Sequence, residues 1–183
     1  MADLDGEALR TVLRRFATGV AVVTTRDGEH PWGTTVNSFS SVSLRPPLVL
    51  VAFDRDRRIV PALERSGRYA VNILGEDHQA LSDCFAGGPA PRRDRSARAD
   101  GRAELCGSAW HLGTTGLPLL SDAIATLECT VVDVHPAGDH DLYIARVDAA
   151  VAGGEPMPLL YYSGRYLRIE RASSHELEGK PEV

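Results

Sequence analysis

The chain has 183 residues, a length that suits one domain with a substantial core. It carries 20 basic and 25 acidic residues, for a formal net charge of −5 at pH 7. Nucleic-acid binders and anionic-membrane binders need a basic surface, so this balance argues against both classes. We expect one domain over residues 1–183, with its core at about 9–169 and a polar, frayed tail over 171–183.

The three cysteines, Cys84, Cys106 and Cys129, are odd in number and widely spaced. This arrangement indicates neither a disulfide framework nor a zinc site, and we expect a reduced, cytoplasmic setting. The N-terminus lacks a basic segment followed by an apolar one, and no apolar run approaches the roughly 18 residues that a membrane span needs. The sequence therefore predicts a soluble protein.

The start of the chain predicts a helix followed by a hairpin. Apolar residues recur at helical spacing over 8–16, which indicates an amphipathic helix ended by Gly19. Residues 20–25 are apolar and rich in β-branched side chains, which predicts a strand. The turn signal Asp27-Gly28 predicts that a second strand pairs with it.

Residues 33–53, GTTVNSFSSVSLRPPLVLVAF, differ from the rest of the chain. The first half alternates small hydroxyl and amide side chains with apolar ones, an arrangement that suits an anionic, planar ligand rich in hydrogen-bonding groups. Such composition is also typical of an ordinary Ser/Thr-rich strand and turn. Pro46-Pro47 predicts an extended path, and residues 48–53 predict a strand buried on both faces.

Further along the chain, short helices give way to longer strands. We expect a helix over 57–65 closed by Gly67, a strand over 69–74 and a helix over 76–86. Residues 89–102 hold two prolines and five arginines, which predicts a mobile loop that is either merely solvated or an arginine clamp for a phosphate. Alternation over 123–132 and 142–151 predicts a long hairpin, and 159–169 predicts a final strand pair.

Short antiparallel strands with few helices and no βαβ alternation favour a mainly β closed barrel over a doubly wound sheet. No GxGxxG follows a strand, so a Rossmann unit for a nicotinamide cofactor is not supported. His140 lies in the turn of the long hairpin, where spacing alone favours an ordinary surface histidine. His135 is five residues away, but no further ligands with sensible spacing lie nearby, so we expect no metal site.

Several motifs together resemble the short-chain flavin reductases, the split-barrel NAD(P)H:flavin oxidoreductase components of two-component flavin-dependent monooxygenases. The matching residues are Phe16, Thr18-Gly19-Val20, Gly33, Thr35, Asn37-Ser38-Phe39, Ser41-Val42-Ser43, Pro46-Pro47-Leu48-Val49, Phe85-Ala86-Gly87, Leu127-Glu128-Cys129 and Gly138-Asp139-His140. The resemblance extends from about Leu9 to Ile169 and includes members associated with antibiotic biosynthesis. It implies an antiparallel Greek-key split barrel of the FMN-binding type, mainly β with a few short helices, that forms a homodimer.

The resemblance also implies the site. His140 takes the position near the nicotinamide, where it places the dinucleotide through a hydrogen bond or stacking. The implied flavin-binding residues are Thr35, Asn37, Ser38, Ser41, Phe53, Asp54, Arg58, Phe85 and Gly87. The chain departs from the family at 55–59, where many relatives place Ser and Thr for the flavin phosphate and this chain has RDRRI, with Arg58 as a charged substitute. Cys129 lies in an alternating strand, which favours a small core residue over a nucleophile.

The implied activity is hydride transfer from nicotinamide C4 to flavin N5, with the reduced flavin leaving for a separate monooxygenase. FMN or FAD would be the flavin, and NADH is expected as the donor, with NADPH left open. Two alternatives remain: a non-catalytic flavin- or haem-binding split-barrel protein, and an enzyme like pyridoxamine-phosphate oxidase that keeps its FMN tightly bound. The sequence decides neither the flavin and nicotinamide preferences nor the partner's substrate.

Overall fold

Strands dominate the computed structural model, which describes residues 5–87, 104–154 and 157–170. Its three helices are α1 (Gly6–Leu13), α2 (Val60–Ser66) and α3 (Gln79–Phe85). Its strands are β1 (Thr18–Gly19), β2 (Ala21–Asp27), β3 (His30–Val36), β4 (Ser40–Leu44), β5 (Pro47–Asp54), β6 (Arg68–Ile73), β7 (Glu104–Leu105), β8 (Ser108–Leu112), β9 (Pro118–Leu120), β10 (Ala125–Ala137), β11 (His140–Ala152), β12 (Leu160–Tyr162) and β13 (Arg165–Leu167). The mainly β prediction is confirmed.

A seven-stranded antiparallel sheet carries the main core. Its strand order is β3-β2-β6-β10-β11-β5-β4, and two three-stranded sheets, β1-β12-β13 and β7-β8-β9, accompany it. The largest cluster of buried side chains draws on six strands of the sheet, with α2 contributing Val60 and Leu63. Strands from the start, middle and end of the chain thus enclose one core, and sequence-distant segments meet at the strand ends.

The two hairpins predicted from turn signals are confirmed. β2 pairs with β3 up to Asp27 and His30, and Gly28 takes the left-handed conformation that the turn requires, with φ of 59°. β10 pairs with β11 from Ala125 opposite Ala152 to Ala137 opposite His140. The turn of this long hairpin is therefore the two residues at 138–139, and residues 138–141 are here called the tip.

The segment 33–53 folds differently from the prediction in two respects. β4 and β5 form a tight hairpin in which Leu44 pairs with Pro47, so the predicted extended path through Pro46-Pro47 was wrong. The prediction of a strand buried on both faces was also wrong, because the side chains of β5 alternate between buried and half-buried. The reason is that one face of β5 meets the core, whereas this chain alone covers the other face only in part.

The prediction of three reduced cysteines was wrong as well. Cys84, in the last turn of α3, is disulfide-bonded to Cys106, in the turn between β7 and β8, with 6.0 Å between their Cα atoms. Cys129 is free and fully buried, and burial raises the pKa of its thiol to about 12. Its interpretation as a core residue is therefore confirmed.

α1 is shorter than the predicted helix over 8–16 and has no buried residue. Asp5 caps it, since the side chain accepts a hydrogen bond of 2.7 Å from the backbone N–H of Ala8. Leu9, Val12 and Leu13 all lie exposed on this chain. The arginine-rich segment 89–102 and the tail 171–183 lie outside the described residues. Across the described ranges, no helix combines the length and the apolar character needed to cross a bilayer.

Candidate active site

A cavity of about 110 Å³, here called the pocket, lies where β3 and β5 end and β11 begins. Antiparallel pairing brings these ends together, because His140 at the start of β11 lies opposite Asp54 at the end of β5. The lining residues are Thr34, Thr35, Val36, Asn37, Ser38, Ala52, Phe53, Asp54, Arg57 and His140. Three segments separated by as many as a hundred residues therefore share one site.

Hydrogen bonds to main-chain carbonyls fix the polar wall of the pocket. The Thr35 hydroxyl donates to the carbonyl of Ser82 in α3 at 2.6 Å. The Ser38 hydroxyl donates to the carbonyl of Ala52 at 2.8 Å. Each hydroxyl thus donates its hydrogen bond within the protein and keeps its lone pairs as acceptors. These side chains can therefore accept a hydrogen bond from a donor group of a ligand.

Apolar packing supports the wall from behind. The Phe53 ring is buried and packs edge-on against Tyr143, with ring centroids 5.3 Å apart. A ring this deep in the core belongs to the scaffold. On the other side, the Phe85 ring lies so close to Gly33 that a Cβ at residue 33 would overlap it. Gly33 is therefore needed for the approach of α3 to β3.

Arg57 supplies the positive charge of the pocket. Arg57 and Asn37 are the exposed residues of the lining, and they are here called the rim. The Asp54 carboxylate lies beside them, but it accepts a hydrogen bond of 2.9 Å from the backbone N–H of Asp56 and so serves its own turn. The rim thus offers a guanidinium and an amide to an anionic, hydrogen-bonding ligand.

His140 closes the pocket on the side of the hairpin tip. Its Nδ1 lies 2.7 Å from Oδ1 of Asp139, and its side chain is 41% exposed. The hydrogen bond to His140 lowers the pKa of Asp139. An ionised Asp139 accepts a hydrogen bond from the Nδ1–H group of His140. In the neutral imidazole, this leaves Nε2 as a hydrogen-bond acceptor.

Six of the ten residues predicted for the site line the pocket: Thr35, Asn37, Ser38, Phe53, Asp54 and His140. None of the other four is in the lining: Ser41 lies on β4 opposite Val49, Phe85 packs against Gly33, Gly87 follows α3, and Arg58 is an exposed residue of the 55–59 turn. The prediction missed Thr34, Val36, Ala52 and Arg57. Thr34, Val36 and Ala52 lie in the segment 33–53, which the sequence had singled out as a whole. Arg57 lies in the arginine run, where Arg57 rather than Arg58 lines the pocket.

The side chain of His135 pairs with Asp133, 2.9 Å away, on the same strand. Within 5–87, 104–154 and 157–170, no three His, Cys, Asp or Glu side chains group as metal ligands would.

Comparison with known proteins identifies the family. The model of the flavin reductase like domain family matches residues 13–170. The chain belongs to this family. The antiparallel split barrel predicted from the motifs is therefore confirmed at the level of both sequence and fold.

Three relatives illustrate the range of the family. A probable flavin reductase of Rhizobium meliloti strain 1021 is 42% identical over 146 residues, which is 79% of this chain but 43% of that protein. The reductase subunit HsaB of a flavin-dependent monooxygenase from Rhodococcus jostii strain RHA1 is 37% identical over 91% of this chain and 80% of its own. The structure of the NADH:FAD oxidoreductase SgcE6 of Streptomyces globisporus C-1027, in complex with NAD and FAD fragments, superposes with a TM-score of 0.78 at 31% identity. That match covers 96% of this chain and 98% of SgcE6.

Proposed function

We propose that this protein is a single-domain, NADH-dependent flavin reductase that supplies free reduced flavin to a separate flavin-dependent monooxygenase. The observation that carries the proposal is the pocket, which joins the polar end of β3 to His140 within a family of flavin reductases. The relatives named for NADH:FAD oxidoreduction and for a monooxygenase reductase subunit support the donor and the partner.

The pocket residues suit a flavin. Residues 34–38 line the pocket with small hydroxyl, amide and apolar side chains, and the exposed Arg57 and Asn37 are available for the phosphate and polar groups of a flavin. A bound flavin would supply N5 as the acceptor of the hydride from nicotinamide C4. The protein's part would be to orient the two ligands: the Thr35 and Ser38 bonds fix the wall, and Nε2 of His140 would accept a hydrogen bond from the nicotinamide carboxamide.

We further propose that the working form is a homodimer. Pockets for ligands of this size measure roughly 300–1,000 Å³, so the pocket of about 110 Å³ is only part of such a site. Large apolar side chains also lie exposed on β4, where Leu44 is 88% exposed, on α1 and on the long hairpin. A second copy would cover these side chains, and we propose that it also supplies the rest of the ligand site.

Light scattering tests the dimer. The wild type should have twice the chain mass of 19.7 kDa at micromolar concentration, and Leu44→Glu should shift it toward the monomer. Leu112→Glu is a matched control, because Leu112 is an exposed leucine of the separate sheet β7-β8-β9. A monomeric wild type refutes the homodimer.

We place the protein in the cytoplasm, where NADH and a monooxygenase partner would meet it. The Cys84–Cys106 disulfide removes the cysteine argument for that compartment, so this proposal depends on the NADH requirement alone.

A steady-state assay tests the activity. NADH and NADPH oxidation is followed with FMN, FAD or riboflavin, and we expect oxidation that requires added flavin and is faster with NADH. Tight flavin binding without any NADH oxidation would overturn the proposal in favour of a flavin-binding protein. A yellow, flavin-saturated protein after purification would favour an enzyme like pyridoxamine-phosphate oxidase.

A further inference from the structure

Arg55 joins the end of β5 to the tip of the long hairpin through three contacts. Its Nε lies 2.8 Å from Oδ1 of Asp141. Its Nη2 donates to the carbonyl of His140 at 3.3 Å, and its backbone N–H donates to the carbonyl of Asp139 at 3.3 Å. One residue therefore holds three successive residues of the tip, 139–141.

The tip is held by the sheet on one side only, because β11 pairs with β5 up to His140 opposite Asp54 and the ladder ends there. The tip is the far end of a pair of 13-residue strands, and the residues of β10 that approach it are exposed from 132 onward. Ends of exposed strands open locally at low free-energy cost. The Asp139–His140 bond does not prevent this, because both groups belong to the tip, and the Asp139 side chain is 93% exposed. That bond orients the imidazole within the tip and adds no contact between the tip and β5 beyond the last strand pair.

Arg55 is anchored next to the pocket, at the end of β5. It directly follows Asp54, which lines the pocket, and β5 is held in the sheet by pairing with both β11 and β4. An exposed ion pair alone is worth little, but here the Asp141 side chain is only 19% exposed and two backbone carbonyls share the same arginine. We propose that Arg55 is a positioning residue, which fixes the imidazole of His140 at the pocket through the tip.

This inference depends on the role proposed above for His140. Its consequence is a split between two ligands: losing Arg55 should weaken NADH use but leave flavin binding unchanged. In Arg55→Met, which keeps an apolar stem and removes every side-chain donor, we expect KM for NADH to rise about three- to tenfold. The flavin Kd should stay within about twofold. Arg55→Lys should recover part of the loss, since an ammonium can pair with Asp141 but not also reach the carbonyl of His140.

Two further variants sharpen the test. Asp141→Asn should raise KM for NADH less than Arg55→Met does. Combining the two substitutions should add nothing to the effect of Arg55→Met, because both remove the same Arg55–Asp141 ion pair. Arg65→Met is the matched control: Arg65 pairs with Asp27 at 2.7 Å, is similarly exposed and lies outside the pocket lining. It should match the wild type in KM for NADH.

A second readout needs no activity. The imidazole nitrogen signals of His140, assigned with His140→Ala, are recorded by NMR in the protein without nucleotide or flavin. We expect them to shift or broaden in Arg55→Met and Asp141→Asn and to stay unchanged in Arg65→Met. Unchanged signals or an unchanged KM in Arg55→Met overturn the proposal, as does a flavin Kd that rises with KM. If the wild type oxidises no NADH, the proposed function fails, and the imidazole signals alone then decide whether Arg55 positions His140.

Discussion

Replacing His140 with alanine removes the one pocket side chain that the hairpin tip contributes. The imidazole is partly exposed, and its partner Asp139 is almost fully exposed, so the substitution leaves no buried polar group unpaired. We therefore expect the free energy of unfolding to change by less than about 1 kcal/mol. Any large loss of activity must then come from a lost contact with a ligand.

The size of that loss follows from one hydrogen bond. A well-placed bond to the nicotinamide is worth about 1–3 kcal/mol, which corresponds to roughly a tenfold to a hundredfold fall in kcat/KM for NADH. The polar wall at 34–38 and Arg57 remain in place. The flavin Kd should consequently stay within a few fold of the wild-type value.

NADH kinetics at saturating flavin and a titration of flavin fluorescence give the two quantities. His135→Ala is the matched control, because His135 belongs to the same hairpin and is paired with an aspartate, yet lies outside the pocket lining. Wild-type kinetics in His140→Ala, or an equal loss in His135→Ala, would refute the reasoning and leave Gly-Asp-His as no more than a hairpin tip.

Three other predictions concern the pocket and its support. Asn37→Ala should raise the flavin Kd severalfold in fluorescence titration while changing KM for NADH little, because Asn37 belongs to the proposed flavin wall at 34–38 and not to the hairpin tip. Glu128 is buried; burial alone would raise its pKa, but hydrogen bonds from residues 114–115 outweigh that and lower it. Glu128→Gln should therefore cost about 2–4 kcal/mol at pH 7 in denaturant unfolding, and the difference from wild type should shrink as the pH falls below about 4 and the carboxylate is protonated. Thiol titration of the unfolded, unreduced protein should find one free cysteine and, after reduction, three; three before reduction would show that Cys84 and Cys106 are not bonded in solution.

The sequence by itself determined the local elements of this protein and its family. Hydrophobic alternation and a glycine turn were enough for the β2–β3 and β10–β11 hairpins, because strand periodicity and turn chemistry act over a few residues. The motif order from 33 to 53 and at 138–140 was enough for the flavin reductase family, and it located most of the pocket.

Tertiary structure alone decided which of these residues meet. Only the path of the turn after β5 shows that Arg57 enters the pocket and that Arg55 reaches the hairpin tip, since three arginines within four residues look alike in sequence. Only the approach of α3 to the β7–β8 turn pairs Cys84 with Cys106, because spacing does not reveal which cysteines come close in space. Periodicity fixes the face on which a side chain lies, whereas long-range packing fixes what lies opposite that face. For the exposed apolar residues of α1 and β4, the described part of the chain provides no cover.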